Sequence, residues 1–333
     1  MIPVRRIVTR GLLAAVILGM GFELACQIQA ARIMRRQHAL RARPDHYYRP
    51  SENPVLVYEL ARDRTVEKEG RVLRLNRHGI RDDENGIPAA DRLIAILGDS
   101  IVFGKGITQD QTLTAFLQSA MDPSGSKVRI LNFGVPGYNL PELLEQLKVK
   151  DAIYRAHHIV YIFNPNDFCL RDTRYEGADN GMYRMYKPPI LKSPWFLRKM
   201  IYQWRKEGVV SVGWYRWLYR GNRDRALGVI MDMASYAQAR DAKFTVAFVP
   251  AGCAYTETGY LLEDVYKDLF DALTARGVEV ISPIEAFEAN PPAFFTDTDH
   301  LTVAGNQLMA EILARRLASE GAPSSSKSEE SEP

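Results

Sequence analysis

A hydroxyl, an imidazole and carboxylates that can hold it stand far apart in this chain, in an order that acyl chemistry uses. Ser100 follows Gly98 and Asp99 at the end of the apolar run RLIAILGDS. Near the other end, Asp297, Thr298, Asp299 and His300 place a carboxylate three residues before a histidine. In a short turn that spacing lets the carboxylate fold back on the ring, fix its tautomer and leave the second nitrogen to take a proton from a serine. Ser100, Asp297 and His300 then form a triad in the chain order Ser, Asp, His. Asp299 is the alternative orienting group, although a residue adjacent to the histidine is poorly placed to reach its ring. Two further stretches carry groups suited to a ligand: Asn132 to Asn139 (NFGVPGYN), whose glycines let backbone amides approach closely, and Asn164, Pro165, Asn166 and Asp167.

Each of these has a plainer reading as a cap or a turn residue: Ser100 and His300 at helix starts, Gly137 in a turn, Asn166 in an Asx-turn. What favours chemistry is their joint placement. Two overlapping motifs fail on spacing. Five residues rather than four separate Gly98 from Gly104, and Lys105 is followed by Gly106, so no phosphate loop is present. Gly104 to Gln109 (GKGITQ) ends in Gln where a dinucleotide turn needs Gly. His157 and His158 precede an apolar run, and His38, His46 and His78 lie upstream of the alternating region. No cluster of His, Cys or Asp suggests a metal, and the triad chemistry calls for no cofactor.

The elements that must position these groups follow from hydrophobic patterning. Short apolar runs at 93–97, 128–133, 159–163, 244–249 and 278–281 have the unbroken character of strands covered on both faces. Helical stretches at about 111–121, 140–151, 225–240, 260–275 and 302–319 lie between and after them. Strand and helix in alternation predict a doubly wound, flavodoxin-like α/β fold: a parallel five-stranded sheet in a three-layer sandwich, with its site at the carboxyl ends of the strands. Ser100, Gly137, Asn166 and His300 all follow such runs. Upstream, EGRVLRLNRHGIRD (69–82) reads as a short hairpin punctuated by Gly70 and Gly79.

With these residues assembled, residues 93–167 and 226–320 resemble the SGNH (GDSL) hydrolase family, whose four blocks supply Ser, Gly, Asn and His. The resemblance implies that Ser100 is the nucleophile and that His300 is the base, oriented by Asp297. It further implies an oxyanion hole made by the amides of Ser100 and Gly137 and the side chain of Asn166. Gly137, not Gly134, matches the second block by its distance from Asn132. Asn164 departs from the pattern, standing where the family usually has Gly.

Charge and hydropathy divide the rest of the chain. The net charge is +3, yet residues 1–43 hold eight Arg against one Glu, leaving an acidic body. That distribution argues against nucleic-acid binding over the whole surface. After Arg5, Arg6 and Arg10 a stretch from 11 to 31 is unbroken apolar to Phe22 and uncharged, apart from Glu23, to its end. As a helix it would be about 30 Å long, enough to span a bilayer. No small-x-small cleavage site follows, so an uncleaved membrane anchor is the expectation, with a cleaved signal as the alternative. The domain plan is a basic segment and anchor (1–31), a juxtamembrane stem and hairpin (32–92), a hydrolase domain (93–320) and a disordered tail (321–333).

Residues 168–225 interrupt the hydrolase domain. They hold all four tryptophans and thirteen Lys or Arg against five acids, as expected of a helical insertion that walls the active-site mouth or simply packs on the core. The functional expectation is a serine esterase acting on O-acyl, chiefly O-acetyl, esters of an envelope glycan or lipid. O-acyltransfer to a polysaccharide and non-catalytic polysaccharide binding are the alternatives. The expected partners are that acylated carbohydrate or lipid and the membrane, with no nucleic acid and no obligate protein partner. The expected location is the cell's inner membrane, single-pass, with the catalytic domain on the periplasmic side. Arg32, Arg35, Arg36, Arg41 and Arg43 after the anchor favour the opposite orientation by charge count.

Overall fold

The computed structural model describes residues 4–41, 46–56, 58–68, 70–84, 86–170, 190–194, 196, 197, 200 and 212–319. The expected tail, and the insertion's Trp195 and Trp204, lie outside the described residues.

Five strands build one parallel sheet: β5 (Arg92–Gly98), β6 (Val128–Gly134), β7 (His158–Phe163), β8 (Lys243–Phe248) and β11 (Glu279–Ile281), with β9 (Tyr255–Thr256) and β10 (Gly259–Tyr260) forming a separate pair. Their spatial order is β11-β8-β7-β5-β6. The first strand therefore lies between the second and third, and the chain crosses over there, as in a flavodoxin-like sheet. Every ladder pairing in this sheet is parallel.

The two-residue period of the strands sorts their side chains into two cores. Leu93, Ala95 and Leu97 of β5 join Leu131, Phe133, Tyr161, Phe163 and Phe248 on one face, beneath α4 (Leu140–Tyr154), α5 (Val212–Gln238) and α6 (Glu263–Thr274). Ile94 and Ile96 join Ile130, Val160, Ile162 and Ala247 on the other, beneath α3 (Leu113–Met121) and α9 (Val303–Ser319). Burial on both faces explains why these runs are continuously apolar. The short helices α7 (Ile284–Glu288) and α8 (Pro291–Phe294) link β11 to the last loop.

Three features differ from the sequence expectation. The hairpin is β3 (Arg64–Lys68) with β4 (Arg71–Leu75), one turn earlier than Gly79, where only an isolated bridge joins Leu75 to Arg81. β3 was hidden because Val66 is its one apolar residue and the other four are polar. α5 starts at Val212, well before residue 225, and the insertion's last turns are therefore part of a core helix. The region expected as a stem also packs on the sheet. Strands β1 (Tyr48–Pro50) and β2 (Tyr58–Leu60) pair with each other, and Tyr48, Leu56, Tyr58, Leu60 and Ile80 are buried in the core on one face of the sheet.

The chain opens with α1 (Val4–Arg41). Within it, Thr9–Arg35 is long and apolar enough to cross a membrane, and its apolar side chains are mostly exposed.

Candidate active site

The carboxyl end of β5 turns directly into α2 (Ser100–Phe103). Asp99 caps this single turn, its Oδ1 accepting the Ile101 N–H at 3.0 Å. Ser100 thereby becomes the first residue of the helix, at the sheet edge where α/β folds place ligands. The turn needs close approach from β6. A Cβ on Gly134 would lie 2.2 Å from the Phe103 nitrogen, so no larger residue fits.

His300 comes from the other end of the chain. The loop between α8 and α9 is pinned by the Thr296 N–H on the His300 carbonyl at 2.8 Å and the Thr302 N–H on the Phe294 carbonyl at 2.9 Å. The Gly252 N–H, beyond β8, donates to the Thr298 carbonyl at 3.0 Å and fixes the loop to the sheet. His300 Nε2 lies 2.9 Å from Ser100 Oγ, and Nδ1 lies 2.8 and 3.0 Å from the two oxygens of Asp297. Asp297 Oδ1 also accepts the N–H groups of Asp299 and His300, at 2.9 and 2.8 Å. Burial alone would push the Asp297 carboxyl up. The two amides and the imidazole outweigh it and hold the carboxyl below its ordinary value. An ionised Asp297 places the proton on Nδ1 and leaves Nε2 to accept the hydroxyl hydrogen of Ser100.

Asp299 turns away from the ring. It accepts a hydrogen bond from the Tyr215 hydroxyl of α5, and burial raises its carboxyl above the ordinary range. Of the two aspartates, Asp297 orients the base.

The remaining groups follow β6 and β7, the two strands that flank β5. Gly137 has φ +84°, in the left-handed region that favours glycine. Its loop is braced from the N-terminal sheet: the Tyr58 hydroxyl donates to the Pro136 carbonyl at 2.7 Å, and the Tyr138 hydroxyl donates to the Tyr58 carbonyl. Asn132 is structural, its side chain donating to the Val102 carbonyl at 2.8 Å and accepting the Gly134 N–H at 3.0 Å. Asn166 lies in a short 3-10 turn after β7 and donates to Asp99 Oδ2 at 3.2 Å. Asn164 caps that turn by accepting the Asn166 N–H at 3.1 Å. Asp167 beneath it accepts from the Tyr161 hydroxyl at 2.7 Å and from the Asn164 N–H at 3.0 Å. Burial, reinforced by the nearby Asp99 charge, pushes the Asp167 carboxyl well above the usual range.

Sequence reasoning missed Tyr58, Tyr215 and Arg81, and it took Asp99 for no more than a cap or turn residue before Ser100. Arg81 is buried and donates to the carbonyls of Phe103, Gly104 and Ile107 at 2.7 to 2.8 Å, clamping the loop that follows α2. The only available signal was its place two residues after Gly79. Among the described residues, no group of three or more His, Cys, Asp or Glu is gathered as a metal would require.

No family model matches the chain, and no curated protein matches it. Solved structures similar to it include that of TesA, at 17% identity and a TM-score of 0.45, covering 68% of this chain and 98% of that one. An esterase, EstA from Pseudoalteromonas sp., is 13% identical with a TM-score of 0.44, covering 69% and 98%. An alpha/beta hydrolase from the metagenome of Lake Arreo is 16% identical with a TM-score of 0.45, covering 71% and 100%. These similarities are distant, and the chemistry follows from distances within this chain.

Proposed function

We propose that this protein is a membrane-anchored serine esterase of the SGNH type that cleaves O-acyl, chiefly O-acetyl, esters of an envelope glycan or lipid through an acyl-enzyme. One observation carries the reading: Ser100 Oγ, His300 and Asp297 form an unbroken hydrogen-bonded chain of 2.9 and 2.8 Å. His300 Nε2 takes the hydroxyl proton as Ser100 Oγ bonds to the ester carbonyl carbon, and the carbonyl oxygen becomes an oxyanion. The amides of Ser100 and Gly137 and the side chain of Asn166 are the donors assigned to that charge. The carbon–oxygen bond to the alcohol then breaks, with the proton passing from His300 to the leaving oxygen. Water repeats the sequence on the acyl-enzyme and frees Ser100.

α1 is assigned as the anchor and the catalytic domain to the extracytoplasmic side, because the three arginines before the apolar stretch match the start of an export signal. Fluorophosphonate labelling tests the chemistry. The wild-type chain should label and turn over p-nitrophenyl acetate, and Ser100→Ala should lose both while keeping its fold. Wild-type turnover by Ser100→Ala would refute the mechanism.

A further inference from the structure

The anchor carries one residue that lipid alone would not accommodate. Glu23 lies inside the apolar stretch of α1, roughly 12 Å along the helix from Ala31 at about 1.5 Å per residue. An ionisable side chain at that depth is costly unless a partner satisfies it. Here the partner is backbone from a segment far away in sequence. Glu23 Oε1 accepts the Lys192 N–H at 2.8 Å and Oε2 accepts the Ser193 N–H at 2.8 Å. One turn on, Gln27 donates to Glu23 Oε1 at 2.6 Å and to the Ile190 carbonyl at 2.8 Å. A further turn on, Ala30, Ile33 and Met34 pack with Phe196, whose N–H closes a turn on the Lys192 carbonyl at 3.0 Å. The segment therefore runs along α1 from the depth of Glu23 towards the end of the apolar stretch.

The same segment leaves its large apolar side chains uncovered. Ile190 is 91% exposed, Leu191 59%, Leu197 46% and Met200 59%, and the apolar residues of α1 from Leu12 to Leu24 are exposed as well. Water would disfavour such a surface. In hydrocarbon the exposed side chains are at home, and unpaired backbone polar groups become the expensive ones. Glu23 and Gln27 satisfy just such groups. The free N–H groups of a helix start, met by an adjacent helix and flanked by exposed apolar side chains, fit lipid.

We infer that Ile190, Leu191, Leu197 and Met200 form a second membrane contact, held on α1 by Glu23 and Gln27. The inference rests on α1 lying in the membrane as proposed above.

Photo-crosslinking of the full-length chain in vesicles of phosphatidylethanolamine and phosphatidylglycerol tests both readings separately. p-Benzoylphenylalanine would replace Val16 in α1, Leu191 in the segment, or Leu261 on the body, in three separate proteins. Lipid adducts at 16 and 191 but not at 261 are expected. Adducts at 16 alone would overturn the second contact and leave the anchor standing, and cross-links from 191 to another copy of this chain would overturn it in favour of self-association. No adduct at 16 would remove the anchor and the inference with it. In a Glu23→Ala, Gln27→Ala background the adduct at 191 should fall several-fold while that at 16 persists, with fluorophosphonate labelling of Ser100 retained as evidence of fold. An undiminished adduct at 191 would refute the role given to Glu23 and Gln27.

Discussion

Asn166 donates its side-chain N–H to Asp99, Nδ2 to Oδ2 at 3.2 Å, and so ties the end of β7 to the end of β5. An amide nitrogen carries two hydrogens, and the bond to Asp99 fixes the plane in which the second one points. Asp99 thus serves two groups, since its other oxygen caps the helix that begins with Ser100. Asn166→Ala should lower kcat by roughly 100- to 1000-fold with a smaller change in KM, because its bond strengthens as charge develops. Asp99→Ala should lower kcat less, and should also cost about 1 kcal/mol of stability through the lost cap. Steady-state kinetics of both variants check this, and an Asn166→Ala enzyme with raised KM and unchanged kcat would make the residue a ground-state contact.

The two aspartates of the histidine loop should separate cleanly. Asp297→Asn removes the carboxylate that fixes the tautomer of His300, and a loss of roughly 10^3- to 10^4-fold in kcat is expected. Asp299→Asn leaves that interaction intact and changes only the contact with Tyr215, so kcat should stay within a few-fold of wild type. Equal losses in the two variants would show that the pair acts as one unit.

Asp167 predicts a pH effect on stability. Its folded carboxyl holds a proton above the ordinary value of 3.8, where the unfolded chain has released it. The folded state therefore binds more protons, and this group's contribution is fully present below that value and lost as pH rises towards the folded pKa. Asp167→Asn keeps an acceptor for Tyr161 and Asn164 without a titrating proton. Relative to wild type the variant should gain about 1.4 kcal/mol for each pH unit crossed within that window. Urea midpoints between pH 4 and 8 measure it, and parallel curves for the two proteins would contradict it.

Much of this arrangement was legible because strand ends in a parallel sheet are punctuated. The apolar runs of β5, β6 and β7 stop abruptly at Ser100, at the glycine loop and at Asn166, and the spacing from Asp297 to His300 is a local property of one turn. What stayed hidden depends on contacts between distant residues. Tyr215 lies in a basic, aromatic stretch, and nothing in that composition tells that its hydroxyl meets Asp299. The raised carboxyl of Asp167 comes from burial, which a four-residue polar turn does not advertise. α2 is four residues long, too short for a 3.6-residue period to show. Trp214, expected at a site mouth, is buried in the core and stacks on Trp217 with ring centroids 5.1 Å apart.

Membrane orientation can be decided with reporters. Alkaline phosphatase fused after Pro333 should be active and green fluorescent protein at the same position dark. The reverse pattern would put the catalytic domain in the cytoplasm, as the arginines after the anchor favour.

The base and its carboxylate are carried by one loop, closed on itself by the Thr296 N–H on the His300 carbonyl and held at its neck and to the body by the backbone bonds at Phe294 and Thr298. The nucleophile, in contrast, grows out of the most deeply buried strands. Cooperative units of unequal strength open at different free energies. Mild denaturant or heat should therefore silence turnover while the sheet still gives its native circular dichroism, so that an activity half-life would report the fraying of a single loop and not the melting of the fold.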